Sequence, residues 1–294
     1  MVTFGIKTTP MHVGYEDVVR VWRDADAAPE IADAWLWDHL MPLAPPTDGP
    51  LFEGWTLLSA LAAQTRRLEL GLLVTSNRLR HPAHLGKIAC TVDAISSGRL
   101  IMGLGVGGTV QPAGAGGFTA NPAVAEYAAY GIDLVRPSEG IARLVETLDI
   151  LDLMWTGGPF DFDGPFTTLR GTVSEPHPAR RPPLLLGAWG DRMLRLVAER
   201  ADVWNMPGPP HNAVDAFAER SARLDALCAE AGRDPSSLGR SVQLTVGYDD
   251  LGATRATASR LIAVGATHLV FNLPRGYPEG IVGRLVKHVV SPLT

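Results

Sequence analysis

Asp38 and His39 stand side by side where the apolar run Trp35-Leu-Trp-Asp-His-Leu40 ends. An imidazole, whose ordinary pKa is close to neutral, can give or take a proton during a reaction, and a neighbouring carboxylate can fix its tautomer. The same two residues can equally serve as a loop pair bonded to backbone. A second cluster follows the next apolar run: Val74-Thr-Ser-Asn-Arg78, then Arg80-His-Pro-Ala-His84. Pro82 suits the first turn of a helix, and His81 and His84 then share one face at i, i+3. Two imidazoles without a third ligand do not make a metal centre, so we read them as structural groups at a helix start and expect no metal. Gly103-Leu-Gly-Val-Gly-Gly108 has the literal GxGxxG spacing. That fingerprint must open directly into a helix whose N-terminus holds a pyrophosphate, whereas Thr109–Phe118 continues as a Gly- and Pro-containing loop. Its glycines serve instead for a close backbone approach to a flat ligand, or for a turn. Finally, Gly187-Ala-Trp-Gly190 runs into Asp191 at a helix start. Exposed amides there suit a phosphate and Trp189 offers a planar face, although Asp191 as N-cap would satisfy the same amides. The sequence carries no Walker-A lysine motif, no GxSxG elbow and no Cys–His nucleophile pair, which leaves ATP hydrolysis and acyl-enzyme chemistry without support.

These clusters need elements to position them, and the hydrophobic pattern supplies strand–helix pairs from end to end. Val2–Thr8 precedes Tyr15–Ala28, Ala34–Trp37 precedes Gly54–Thr65, Leu68–Val74 precedes His81–Ser96, and Leu100–Leu104 precedes Ser138–Trp155. Pro183–Leu186 then leads into Asp191–Ala201, Val203–Asn205 into Asn212–Ala231, Ser241–Tyr248 into Thr254–Val264, and His268–Phe271 into Glu279–Val289. Parallel strands joined by helices require this alternation. Eight such units predict an α/β fold, a (β/α)8 TIM barrel, with a doubly wound sheet as the alternative. In a barrel the site lies at the C-terminal ends of the strands, where the clusters above fall. Gly98, Gly232 and Gly265 stand where left-handed helix ends are wanted. Two stretches exceed ordinary connections: a Gly-, Ala- and Pro-rich insertion near 105–137, read as a lid or functional loop, and one near 156–182, read as a hairpin. No linker divides the chain, so residues 1–294 are expected to form a single domain.

The 294 residues are 46% hydrophobic and 19% charged, enough apolar material for one large core. The formal net charge of −5 with no polybasic run argues against nucleic acid or an anionic membrane as partner, so an anionic ligand must be held by local groups. Cys90 and Cys228 lie in helical stretches without CxxC spacing and read as buried thiols of a cytoplasmic protein. The first ten residues lack a secretory signature, and no apolar run approaches about 18 residues.

The run Arg80-His-Pro-Ala-His-Leu-Gly-Lys-Ile-Ala-Cys-Thr-Val-Asp-Ala-Ile-Ser-Ser-Gly-Arg-Leu-Ile-Met-Gly-Leu-Gly-Val-Gly107 closely resembles the signature of the bacterial luciferase-like superfamily. Trp35–Leu40, Glu126-Tyr-Ala-Ala-Tyr-Gly131, Pro182–Gly190 and Ala201-Asp-Val-Trp-Asn205 extend the resemblance over most of residues 1–210. The Trp-Asp-His element is similar to the branch that uses the deazaflavin F420 rather than the branch that uses reduced FMN. The resemblance implies a homodimeric oxidoreductase, with hydride transfer at the deazaflavin C5 to or from a small organic substrate. His39 would be the general acid/base, and Asp38 would hold either the cofactor or His39. The cofactor would be met by Asp38, Leu73, Val74, Thr75, Gly105, Gly107, Gly187, Ala188, Trp189, Gly190 and Gly208, with a cis Leu73–Val74 peptide under the ring and Gly187–Gly190 near its phosphate. Relatives usually carry Trp or an acid after the Gly-x-Gly run, where this chain has Gly108-Thr109-Val110. That departure implies an open pocket wall there and favours reduction of a C=C or C=N bond over sugar-phosphate oxidation. A reduced-FMN monooxygenase and a non-catalytic flavin or deazaflavin binder are the alternatives.

Overall fold

The computed structural model describes residues 2–43, 45–109, 122–208 and 213–294. In chain order the elements are β1 (Thr3–Thr8), α1 (Tyr15–Asp26), β2 (Asp33–Leu36), α2 (Gly54–Gln64), β3 (Glu69–Leu72), β4 (Thr75–Ser76), α3 (Pro82–Ser96), β5 (Met102–Gly105), α4 (Pro122–Ala129), α5 (Pro137–Thr156), β6 (Phe160–Asp163) and β7 (Thr168–Thr172). They continue as β8 (Leu184–Gly187), α6 (Asp191–Arg200), β9 (Val203–Met206), α7 (Val214–Glu230), β10 (Gly239–Thr245), α8 (Leu251–Ala263), β11 (His268–Leu273) and α9 (Ile281–Leu285). Parallel pairing runs in the order β3-β2-β1-β11-β10-β9-β8-β5-β4. β3 and β4 are two pieces of one strand, interrupted at Leu73–Val74. Leu70 N–H donates to Arg99 O (3.0 Å) and Ile101 N–H to Leu70 O (2.9 Å), which joins β3 to the segment entering β5 and closes the ring. The (β/α)8 architecture predicted from the alternation is the one observed.

Local chemistry explains where elements begin and end. The Glu53 carboxylate caps α2 by accepting from Trp55 N–H and Thr56 N–H, and Asp250 caps α8 by accepting from Ala253 N–H at 2.8 Å. Ser97 and Gly98 end α3 in the left-handed region, at φ of 59° and 83°. One face of α1, with Val18, Val19, Val21, Trp22 and Ala25, is buried, and Trp22 Nε1 donates to Thr8 Oγ1 (2.9 Å), docking the helix on β1. The main core lies between the outer strand faces and the helices, while Trp35, Leu73, Ile101, Leu185 and Val270 form a separate cluster on the inner faces. Trp35 fits inside because its neighbours have no side chain: a Cβ on Gly71 would fall 2.8 Å from its ring.

At the N-terminal end of the barrel Asp33 is buried, with His268 Nε2 at 3.0 Å and Trp35 Nε1 donating to the same carboxylate. Burial and then the charge of Asp33 push the Glu69 carboxyl above its usual range.

Three details differ from expectation. The third strand breaks after Leu72 rather than running on to Val74. The stretch near 105–137 carries the helix α4, where a loop was expected, although residues 110–121 lie outside the described set. The last helix starts at Ile281 and widens into a π-type turn after Leu285. The stretch near 156–182 holds the antiparallel hairpin β6–β7.

Candidate active site

A cavity of about 720 Å³ opens at the C-terminal ends of the strands. Asp38, His39, Leu73, Val74, Thr75, Gly105, Gly107, Gly187, Ala188, Trp189, Gly190 and Gly208 all line it. Glycines seat Val74 in one wall: a Cβ on Gly105 would fall 2.7 Å from Val74 Cγ2, and one on Gly187 3.2 Å from Val74 Cγ1. The Leu73–Val74 peptide is cis. The 187–190 turn is fixed by Ala188 N–H donating to Asn205 O (3.1 Å) and by Trp204 Nε1 donating to Ala188 O (2.9 Å). Trp189 lies beneath the Arg220 guanidinium, 5.5 Å from the ring centroid. Gly190 is the N-cap of α6, without a side-chain cap. The Asp191 carboxylate does not close that helix end as expected, because it accepts from Arg223 Nε (3.0 Å) and Arg220. Among the described residues no side chain caps the first amides of α6, at the cavity edge.

The acid beside His39 in sequence is not the acid beside it in space. Asp38 is buried and forms a bidentate ion pair with Arg80, at 2.7 and 2.8 Å, while accepting from Ser76 N–H at 2.9 Å. Arg80 also pairs with Glu53 and so ties the cavity wall to the cap of α2. Adjacent side chains of an extended segment point apart, which is why Asp38 does not orient His39. The carboxylate facing the imidazole is Glu126 of α4, with Oε2 3.0 Å from His39 Nδ1. Trp37 packs edge-on against the same imidazole, with ring centroids 5.4 Å apart. Burial alone raises the Glu126 carboxyl, but His39 and the N–H groups of Leu40 and Met41 outweigh it and hold it below the usual glutamate range. A buried ionised carboxylate thus fixes the ring nitrogen nearest it and leaves the other for a reacting atom.

Tyr127, the next residue of α4, corrects the reading of the glycine run. Its hydroxyl lies 2.7 Å from Ser76 Oγ and accepts from Gly108 N–H at 2.8 Å. A Cβ on Gly108 would stand 2.8 Å from Tyr127 Cζ, and Gly107 turns at φ +81°. The wall expected to be open is filled by this phenol, and Gly108 admits the tyrosine rather than a ligand. The expected histidine pair is also divided: His81 and His84 line two different crevices flanking α3.

The sequence reading missed the polar half of the cavity. Lys7 of β1 donates to Gln243 Oε1 of β10, Gln243 Nε2 donates to Asn205 Oδ1 (3.0 Å), and Asn205 Nδ2 donates to Ser241 Oγ (2.8 Å). Burial lowers the Lys7 pKa to about 8. Three further polar atoms on residues lining the cavity, Trp37 Nε1, Thr75 Oγ1 and Asn272 Oδ1, are buried without a hydrogen-bond partner among the described residues. Buried polar atoms are rarely left so, and these three belong to residues of one cavity, which is where a ligand with complementary donors and acceptors would be accommodated.

A sequence profile of the luciferase-like monooxygenase family matches residues 3–271. The chain belongs to the luciferase-like monooxygenase family. Among curated proteins, a phthiodiolone/phenolphthiodiolone dimycocerosates ketoreductase from Mycobacterium sp. (strain JLS) is 28% identical over 235 residues, covering 72% of this chain and 56% of the relative. The chain thus spans about half the length of the curated relatives it matches. Among solved structures, an F420-dependent secondary alcohol dehydrogenase in complex with an F420-acetone adduct superposes with a TM-score of 0.81 at 15% identity, covering 100% of this chain and 99% of that one. A coenzyme F420-dependent tetrahydromethanopterin reductase from Methanopyrus kandleri gives 0.77 at 17%, with the same coverage. Monooxygenase RslO1 from Streptomyces bottropensis gives 0.76 at 17%, covering 99% and 100%. At these identities the superpositions establish the luciferase-like barrel of this chain. Among the described residues no helix is long and apolar enough to cross a membrane.

Proposed function

We propose that this luciferase-like chain is an F420-dependent oxidoreductase that reduces a C=C or C=N bond of a small organic molecule, with His39 as the acid/base group. The observation that carries the reading is the rim cavity, which has a wall built around Val74 and lining residues with buried polar atoms that find no partner among the described residues. A tricyclic ring with a polar pyrimidine edge fits that donor and acceptor set, and the uncapped start of α6 suits its phosphate. When bound, a reduced deazaflavin supplies the hydride at C5. The protein's own part is to place and protonate. Leu73, Val74 and Thr75 support the ring, His39 delivers a proton to the atom next to the hydride acceptor, and Glu126 holds the imidazole in one tautomer. Asp38, already neutralised by Arg80, braces the wall through Ser76 N–H, and the guanidinium disfavours its taking up a proton. The relatives support the redox class, since the ketoreductase and the two F420-dependent enzymes named above are oxidoreductases.

Titration of the purified chain with F420 and with FMN tests the reading. The expected result is saturable F420 binding with FMN at least about tenfold weaker, followed by oxidation of reduced F420 in the presence of an unsaturated acceptor. FMN binding without F420 binding would replace it with the reduced-FMN monooxygenase reading.

A further inference from the structure

We propose that Lys7 marks the substrate half of the cavity and selects an acceptor that carries a carboxylate, an inference that rests on the cofactor reading above. The ring order places Lys7 and Gln243, on β1 and β10, across the barrel from the wall that Val74, just before β4, builds with Gly105 and Gly187 of β5 and β8. A flat cofactor lying on that wall leaves Lys7 facing whatever stacks above it.

The electrostatics of the cavity name the missing charge. The other ionisable side chains that line it are Asp38, His39, Glu126 and Tyr127. Asp38 is matched by the Arg80 guanidinium, the Glu126 carboxylate is engaged by His39 and accepts from Leu40 N–H, and the Tyr127 hydroxyl is held by Ser76 and Gly108. Among the described residues, no carboxylate stands within ion-pair distance of Lys7, and its one hydrogen-bond partner, the Gln243 side chain, is a neutral amide held in turn by Asn205 and Ser241. An ammonium withdrawn from water beside a neutral acceptor is poorly compensated, and a ligand carboxylate restores the balance with a charge-assisted hydrogen bond. The relay through Gln243 and Asn205 restricts where the ammonium can sit, so the anion is positioned and not merely attracted. Burial favours the neutral amine, which makes the ammonium available below about pH 8 and scarce above it. A neutral isostere of the same shape gains nothing from this group.

Isothermal titration calorimetry of the full chain with trans-cinnamate and with the neutral cinnamamide tests the assignment without cofactor or turnover. The expected result is cinnamate binding about tenfold tighter than cinnamamide below pH 8, with the preference fading as pH rises past that value. Lys7→Met, a swap of similar volume whose fold is checked by circular dichroism, is expected to abolish the preference, and Lys7→Arg to retain it. A preference that survives in Lys7→Met, equal binding of the two probes by the unaltered chain, or no measurable cinnamate binding would overturn the proposal. F420 titration of the same variants separates the two possible owners of the anion. Unchanged F420 affinity in Lys7→Met supports a substrate carboxylate, and its loss assigns Lys7 to the cofactor and removes the proposal. If the unaltered chain fails to bind F420, the cofactor reading falls, while the discrimination between the two probes is still read on its own.

Discussion

The two ends of the barrel each hold an imidazole beside a buried carboxylate, yet they are built to opposite ends. At the N-terminal end Asp33 faces His268 and accepts from Trp35 Nε1, so strand residues satisfy one another. At the C-terminal rim the partner of His39 comes from α4, outside the strands, and Trp37 Nε1, Thr75 Oγ1 and Asn272 Oδ1 on cavity-lining residues find no partner among the described residues. The lower pair completes a core, whereas the upper pair stands in a cavity of about 720 Å³ against about 280 Å³ for the crevice below. An acid–imidazole contact alone does not mark a binding site; what sets the upper one apart is the cavity it borders.

The largest expected effect tests the rim pair. His39→Ala should lower kcat with reduced F420 by about 100-fold or more while shifting the urea-unfolding free energy by less than about 1 kcal/mol. A matching loss of stability would erase the distinction between the ends. Asp33→Ala should do the reverse, costing about 2–3 kcal/mol in urea unfolding because His268 and Trp35 Nε1 lose their acceptor, with F420 affinity of the folded fraction unchanged. Glu126→Gln should lower kcat about tenfold and change the acid limb of stability. The sign follows from the lowered carboxyl: its contribution is complete above the usual glutamate range and is lost as pH falls through the lowered value, so the variant should show a flatter acid limb in pH-dependent unfolding. The smallest effect is the sharpest contrast with Asp33. Thr75→Val removes a buried hydroxyl that has no partner, so stability should stay within about 0.5 kcal/mol while F420 affinity falls about fivefold by fluorescence titration.

The barrel was legible because eight short apolar runs, each followed by an amphipathic stretch, leave few ways to bury both faces of a parallel sheet. The rim positions were legible for the same reason, since the residue after each run must fall at the C-terminal end of a strand. Partnerships were not. Asp38 looked like the keeper of His39 because the two are neighbours in sequence, but an extended backbone sends one towards Arg80 and the other towards a glutamate 87 positions away. Glu126 lay inside a quoted motif, yet nothing in its spacing says that α4 folds back over the rim. Lys7 was hidden by its strand: in Phe4-Gly-Ile-Lys7 alternate residues face opposite sides, and that alternation alone could have marked Lys7 as lying on the inner face. The glycine run reads as room for a ligand, yet Gly108 stands against the Tyr127 ring, a contact made by a helix the hydrophobic pattern does not announce.

Because α4 brings both the carboxylate opposite His39 and the phenol that closes the glycine wall, the partners of the rim groups are mounted on an insertion instead of on the strands. The wall around Val74 and the groups that partner His39 are therefore separable parts. Rewriting one short helix could retune proton affinity, or admit a bulkier guest, while the staves of the barrel stay as they are.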